Sequence, residues 1–113
     1  MEISRDQQDN IGSLSIKGRI DSTVAERLQK ELVDLVRAGH QGVIIDFRQV
    51  AYISSAGFRS LLIAAKEGDG VRCGIALCGL SPEVRRMFET GGFDEIFTVF
   101  ATREECVAHL KKP

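Results

Sequence analysis

The sequence predicts one α/β domain, in which four helices pack against a mostly parallel central sheet of about five strands. Two strand patterns come first, three helix–strand units follow, and a last helix closes the chain. The middle strands are nearly continuous apolar runs, which is typical of parallel strands buried on both faces. The length of 113 residues matches one domain, so residues 1–113 are interpreted as a single unit.

The first two strands are predicted at the amino-terminal end. The first lies within residues 1–7, and the second contains Leu14 and Ile16, which alternate with polar neighbours. Gly18 is predicted to end the second strand. Because apolar and polar residues alternate in the second strand, that strand is expected to be half-buried.

The first helix is predicted after this pair. Thr23 and Glu26 have the spacing of a capping box, in which each side chain bonds a free backbone N–H of the other residue. Gly39 stands where a left-handed C-cap is expected. The apolar face of this helix consists of Val24, Leu28, Leu32, Leu35 and Val36.

The second unit contains the most buried strand pattern of the chain. The apolar run of residues 43–47 predicts a central strand, and a loop is expected between this strand and a helix that begins near Ala56. Phe58, Leu61 and their successors repeat at helical spacing, and the glycines of residues 68–70 are predicted to end the helix.

The third unit begins with a strand pattern over residues 71–78. Ser81 is predicted as an N-cap and Pro82 as the first residue of the next helix, because these residue types favour those positions. The Gly91–Gly92 pair is predicted to stop this helix.

The last strand and helix are short. A strand is predicted over residues 96–100, and Thr102 with Glu105 forms a second capping-box pattern that starts the terminal helix.

Charge balance and hydropathy argue against several classes of function. Fifteen Lys and Arg against 16 Asp and Glu give a formal net charge of −1, which argues against nucleic acid as the main partner. No apolar run approaches the roughly 20 residues of a membrane helix, and the polar amino terminus lacks the apolar region of a signal peptide. A cytoplasmic protein without membrane insertion is therefore expected.

Cysteine and histidine spacing indicates neither a metal site nor another cofactor. The three cysteines include no CxxC pair, and the two histidines have no metal-ligand spacing to them. The chain also lacks the GxxxxGK and GxGxxG phosphate-binding patterns and the GxSxG pattern of serine hydrolases. The sequence thus favours a binding protein over an enzyme.

Two adjacent serines, Ser54 and Ser55, stand directly before the second predicted helix. Serine is among the best N-cap residues, so helix capping alone explains one of them. A helix N-terminus also presents free N–H groups that can hold a phosphate. A phosphorylated serine at this point would add about −2 charge and repel an acidic partner surface.

Nearly the whole chain, from about Ser13 to Leu110, resembles a STAS domain and, more narrowly, the bacterial anti-sigma factor antagonists. Four short motifs carry the resemblance, and they occur in the family's order and spacing. They are GRID before the first helix, ID at the end of the buried strand, SSAG at the next helix and GGFD before the last strand.

The resemblance implies a phosphorylation switch. In this family the serine at the start of the second helix is phosphorylated by an anti-sigma factor that is also a serine kinase of the GHKL type, and a PPM-type phosphatase removes the phosphate. Matching the SSAG motif places the acceptor at Ser55, with Ser54 as the alternative. Many members have an aspartate where this chain has Ser54, so that negative charge is absent. The unphosphorylated protein is expected to bind the kinase and the phosphorylated protein to be released.

The expected partner-binding surface surrounds this serine. Asp21 matches the family's acidic position, although an aspartate before a helix is also an ordinary capping residue. Arg59 lies one helical turn after Ser55 and could pair with a phosphate there, or it could be a solvated surface arginine. Asp46 is expected to be structural. The complete predicted surface consists of Asp21, Ser54, Ser55, Ala56, Gly57 and Arg59.

The same fold is compatible with a different function. A STAS domain can be a scaffold subunit of a stress-signalling or lipid-transport complex that does not switch. In that case both serines would be structural and no kinase would be required.

Overall fold

Five strands form one sheet in the computed structural model, which describes residues 1–112. The spatial order is β1-β2-β3-β4-β5; β1 pairs antiparallel with β2, and the other pairs are parallel. The predicted mostly parallel sheet of about five strands is confirmed. The strands are Glu2–Gln8 (β1), Ile11–Ile20 (β2), Gly42–Ile53 (β3), Gly74–Cys78 (β4) and Thr98–Phe100 (β5).

Four helices pack against the sheet, as predicted, and together they cover both of its faces. They are Ala25–Val36 (α1), Ser55–Val71 (α2), Pro82–Thr90 (α3) and Arg103–Leu110 (α4), and a 3₁₀ turn lies at Phe93–Glu95. The main core joins α1, α2 and α3 to one face, whereas α4 packs on the opposite face through Cys106 and Leu110. Among residues 1–112, every helix is too short or too polar to cross a membrane.

Strand β3 is longer than the sequence predicted. The strand was expected to end near Phe47 and to be followed by a loop, but it continues to Ile53, and β2 likewise continues past Gly18. A register irregularity in the β2–β3 pairing lies opposite the exposed residues Arg48 and Gln49. Two adjacent polar residues therefore interrupt the apolar pattern without ending the strand. The next residue, Val50, is again buried in the core.

The capping box predicted at the start of α1 is wrong. The N-cap is Val24, which makes no side-chain cap bond. Instead, the backbone N–H and the hydroxyl of Thr23 both donate to the Asp21 carboxylate. The Asp21 carboxylate thus accepts the Thr23 N–H that Glu26 would accept in a capping box, which is why a Thr–x–x–Glu spacing alone did not identify the cap.

The predicted end of α2 is also wrong, because the helix continues through the glycines to Val71. A Cβ at Gly68 would lie 2.5 Å from the carbonyl oxygen of Cys73, so this glycine lets the backbone that follows α2 pack closely against the helix. The left-handed residue that ends α2 is Arg72, with φ of +56°. Val71 therefore belongs to the helix and not to the next strand.

Several other predicted boundaries agree with the structure, although β5 begins at Thr98 and not at the predicted residue 96. The N-cap Ser81 with Pro82 and the Thr102–Glu105 capping box are confirmed, and α3 ends before Gly91. Gly39 has the predicted left-handed conformation, with φ of +95°. However, α1 ends at Val36, three residues before Gly39, and its C-cap is Arg37 and not the predicted Gly39.

A cluster of phenylalanines joins α2, α3 and the sheet. Phe88 on α3 is fully buried, and its ring lies edge-on to Phe58 of α2 at 4.8 Å and to Phe47 of β3 at 5.7 Å between centroids. Phe58 also stacks on Phe93 at 4.2 Å. These contacts place α3 beside the first turn of α2.

We expect Phe88→Ala to lower the free energy of unfolding by about 3–5 kcal/mol, because it removes a fully buried ring and leaves a cavity. Ile96→Ala is the control, since Ile96 is 57% exposed and its truncation should change stability by less than about 0.5 kcal/mol. Urea denaturation followed by circular dichroism measures both. Equal losses in the two variants would contradict the packing described.

Candidate functional site

The carboxyl ends of β2 and β3 lie side by side, because these strands are parallel and Ile20 pairs with Ile53. The backbone N–H of Ser54 donates to the carbonyl oxygen of Ile20 at 2.8 Å. Asp21 follows β2 directly and Ser54 follows β3 directly. The structure therefore brings these two predicted site residues to the same edge of the sheet.

Ser54 is the N-cap of α2, as the capping interpretation predicted for one of the serines. Its backbone is extended, and its Oγ accepts a hydrogen bond from the Gly57 N–H at 3.2 Å. Ser55 is then the first helical residue, and it is exposed. The two serines consequently have different environments: one hydroxyl supports the helix, and the other faces solvent.

Gly57 allows the first turn of α2 to lie directly on the ends of the two strands. A Cβ at this position would be 2.7 Å from Cγ2 of Ile20 and 2.8 Å from Cγ1 of Ile53. One turn later, the buried hydroxyl of Ser60 donates to the Ala25 carbonyl oxygen of α1 at 2.7 Å. Gly57 thus positions the serines by letting the helix pack on Ile20 and Ile53. It has no side chain that a partner protein could contact.

The carboxylate of Asp21 is held in place by its own turn. Its Oδ1 accepts from the Thr23 hydroxyl and from the Thr23 N–H, the latter at 3.0 Å. These hydrogen bonds to the charged form lower the pKa of the Asp21 carboxyl below its ordinary value, and the nearby Arg19 charge adds to the effect. Asp21 is therefore an ionised, oriented acceptor beside the serine pair.

An arginine and a tyrosine flank this edge, and sequence analysis missed both. Arg19 lies over the ring of Tyr52, with 4.3 Å between the guanidinium carbon and the ring centroid. The two residues are cross-strand partners in β2 and β3. Their pairing depends on the irregular register of these strands, which no local pattern reveals.

A groove of about 610 Å³ opens between the first turn of α2 and helix α3. Ser55 and the N-cap Ser54 line it from α2, and the phenylalanine cluster contributes Phe58 and Phe93 to its apolar part. Sequence analysis missed the contribution of α3 completely. The α3 residues and the residue that follows them in the groove are Glu83, Arg86, Met87, Thr90 and Gly91.

Arg59 is exposed one turn after Ser55, and it forms no ion pair with the other residues among 1–112. Asp46 lies elsewhere, in the middle of β3. It is buried and pairs with the Arg48 guanidinium at 2.7 Å, which raises the pKa of Arg48. This pair stabilises the strand and takes no part in the groove.

Other chemically reactive side chains lie away from the serines. His40 packs against Gly12 and His109 lies against the ring of Phe100, so neither histidine lines the groove beside Ser55. The three cysteines are buried and free. Within residues 1–112, no three His, Cys, Asp or Glu side chains are grouped so that they could hold a metal ion.

Known proteins resemble this chain both in sequence and in fold. A family model described as "STAS domain" matches residues 2–106. The chain is 38% identical over 111 residues to "Putative anti-sigma factor antagonist BtrV" of Bordetella bronchiseptica. The aligned region covers 98% of this chain and 96% of that protein.

Solved structures show the same fold. The crystal structure of an anti-sigma factor antagonist from Mycobacterium paratuberculosis has a TM-score of 0.89 at 21% identity, covering 98% of this chain and 94% of the other. The unphosphorylated form of the anti-sigma factor antagonist SpoIIAA has a TM-score of 0.82 at 19% identity, covering 97% and 96%. Its phosphorylated form from Bacillus has a TM-score of 0.72 at 18% identity, covering 97% and 100%.

The serine pair, the neighbouring acidic turn and the sheet order thus occur in a chain whose sequence matches this family over most of its length. The chain belongs to the STAS domain family, among its anti-sigma factor antagonists.

Proposed function

We propose that this protein is a cytoplasmic partner-switching protein controlled by phosphorylation of Ser55. Unphosphorylated, it binds an anti-sigma factor through the switch surface, which comprises Asp21, Ser54, Ser55, Ala56 and Arg59. Phosphorylation of Ser55 releases it. The observation that supports this most is the unequal use of the two serines: the hydroxyl of Ser54 caps α2, whereas Ser55 is exposed.

The environment of each serine favours Ser55 as the acceptor. Phosphorylation of Ser54 would disturb the bond from the Gly57 N–H to its hydroxyl, at a residue whose own N–H is bonded to Ile20. Loss of an N-cap bond costs about 1 kcal/mol. A phosphate on Ser55 breaks no bond seen among residues 1–112 and leaves the first turn of α2 intact.

A phosphate at Ser55 would change the charge of the surface where the partner binds. It adds roughly −1.5 to −2 charge at pH 7, beside the ionised Asp21 and at the rim of the groove that contains Phe58 and Phe93. A partner surface complementary to the unphosphorylated protein would then meet unpaired negative charge. Such a mismatch weakens an interface by several kcal/mol.

The partners follow from the family. We infer that the anti-sigma factor is a serine kinase of the GHKL type and that a PPM-type phosphatase removes the phosphate. Two relatives support an anti-sigma factor partner and control by phosphorylation: the BtrV protein carries the name of an anti-sigma factor antagonist, and SpoIIAA has been solved both with and without phosphate. The protein itself then supplies the acceptor serine and a docking surface, and it needs no cofactor.

We expect incubation with ATP and the partner kinase to add one phosphate to the protein, on Ser55. Intact mass spectrometry measures the addition, and fragmentation of the peptide identifies the residue. Ser55→Ala should remain unmodified, whereas Ser54→Ala should still be phosphorylated.

The outcome distinguishes the alternatives. Loss of phosphorylation only in Ser54→Ala would move the acceptor to Ser54 and keep the switch. Absence of phosphate on the wild-type protein, with a kinase active on another substrate, would contradict the switch. It would favour the scaffold subunit that the same fold can provide.

The two serine variants should also differ in stability. We expect Ser54→Ala to lower the free energy of unfolding by about 1 kcal/mol, because it removes the N-cap of α2. Ser55→Ala should change it by less than about 0.5 kcal/mol, since its side chain is exposed. Urea titrations in parallel test this, and an equal loss in both variants would show that Ser54 does not act as the cap.

Charge at Asp21 is expected to contribute to partner binding. Asp21→Asn keeps an oxygen that can accept the Thr23 N–H but removes the negative charge, so affinity for the anti-sigma factor should fall about tenfold. Asp69→Asn is the matched control, because Asp69 is exposed at the far end of α2. Isothermal titration calorimetry measures both, and equal affinities would exclude Asp21 from the interface.

A further inference from the structure

We propose that Arg86 on α3 and Arg59 on α2 bind the phosphate of phosphorylated Ser55, so that the modified protein holds its own phosphate across the mouth of the groove. This inference rests on Ser55 being the acceptor, as proposed above. In this proposal Arg86, which belongs to a separate helix, contacts the phosphate of the modified protein.

Arg86 and Ser55 line the same groove. The two helices that carry them are locked together near these residues, because the ring of Phe58, three residues after Ser55, lies 4.8 Å from the ring of Phe88, two residues after Arg86. The Arg86 side chain is exposed and forms no ion pair among residues 1–112. Its guanidinium is therefore free to reach a new anion in the groove.

Arg59 approaches the same point from within α2. Residues four apart on a helix are neighbours, with about 5–6 Å between their Cβ atoms. Long side chains on a helix also lean toward its N-terminus. A guanidinium at position 59 is thus within reach of a phosphate on Ser55, and Arg59 too forms no ion pair among the described residues.

The acidic groups nearby do not neutralise these arginines. The first turn of α2 contains no acidic residue. Glu83 lines the groove one turn before Arg86 on α3, but no oxygen of Glu83 lies within 4.0 Å of the Arg86 guanidinium. A phosphate on Ser55 would be repelled by Glu83 and by the ionised Asp21 beside the serine pair. It would be attracted by two guanidinium groups, each of which can donate two parallel hydrogen bonds to phosphate oxygens.

Such binding changes the shape of the surface as well as its charge. A phosphate on α2 joined to a guanidinium on α3 bridges the groove above Phe58 and Phe93. The apolar part of the groove is then covered in the phosphorylated protein and open in the unphosphorylated one. Phosphorylation would therefore hide docking area in addition to adding charge.

The test uses protein in which phosphoserine is placed at position 55 during synthesis by suppression of a stop codon, so that no kinase is needed. Phosphorus NMR follows the phosphoserine signal as the pH is raised. In Arg86→Ala and in Arg59→Ala, we expect the midpoint of this titration to move to higher pH, because each arginine stabilises the dianion. Arg85→Ala and Lys66→Ala are matched controls: both residues are exposed on the same two helices, and Arg85 does not line the groove.

A midpoint that is unchanged in Arg86→Ala, or that moves equally in Arg85→Ala, would overturn the proposal. Arg86→Lys adds a second criterion, because a lysine keeps the charge without the paired donors and should give an intermediate midpoint. Circular dichroism of every variant confirms that the fold is retained. Because the phosphoserine is installed without a kinase, failure of the kinase assay and failure of this titration are separate results.

Discussion

The site depends on the parallel pairing of β2 with β3, whose carboxyl ends finish level with each other. The hydrogen bond from the Ser54 N–H to the Ile20 carbonyl oxygen joins the start of α2 to the end of β2. Gly57 lets the helix lie on both strand ends without a Cβ between them. Asp21 and Ser55 have fixed positions because of these contacts. If a loop followed Phe47, as the sequence predicted, the serines would not be held in fixed positions by these contacts.

The phenylalanine cluster extends this arrangement to α3. Phe58 belongs to the first turn of α2 and contacts Phe88 and Phe93, so the same turn that presents Ser55 also forms part of the groove. A charge placed on Ser55 therefore acts on two features at once, the acidic turn at Asp21 and the apolar groove. Under the proposed switch, this proximity would let one phosphate affect both parts of the docking surface.

The sequence predicted the fold class and the position of the serine pair, because both depend on local patterns. Ser81 with Pro82 and Thr102 with Glu105 marked helix starts correctly, since their caps involve only neighbouring residues. The Thr23–Glu26 pattern failed because the Asp21 carboxylate accepts the Thr23 N–H that Glu26 would accept in a capping box. The proposed role of Arg86 could not be predicted from the sequence, because α2 and α3 are separated by β4 in the chain and meet only through tertiary packing.

The central claim is that phosphorylation of Ser55 controls partner binding, and one affinity measurement tests it most directly. Isothermal titration calorimetry would compare binding of the partner anti-sigma kinase to the unmodified protein and to protein that carries phosphoserine at position 55. The account predicts at least a hundredfold weaker binding of the phosphorylated form, which corresponds to about 2.8 kcal/mol. Equal affinities would contradict it and would leave the protein as a STAS domain whose serines serve only the structure of the helix.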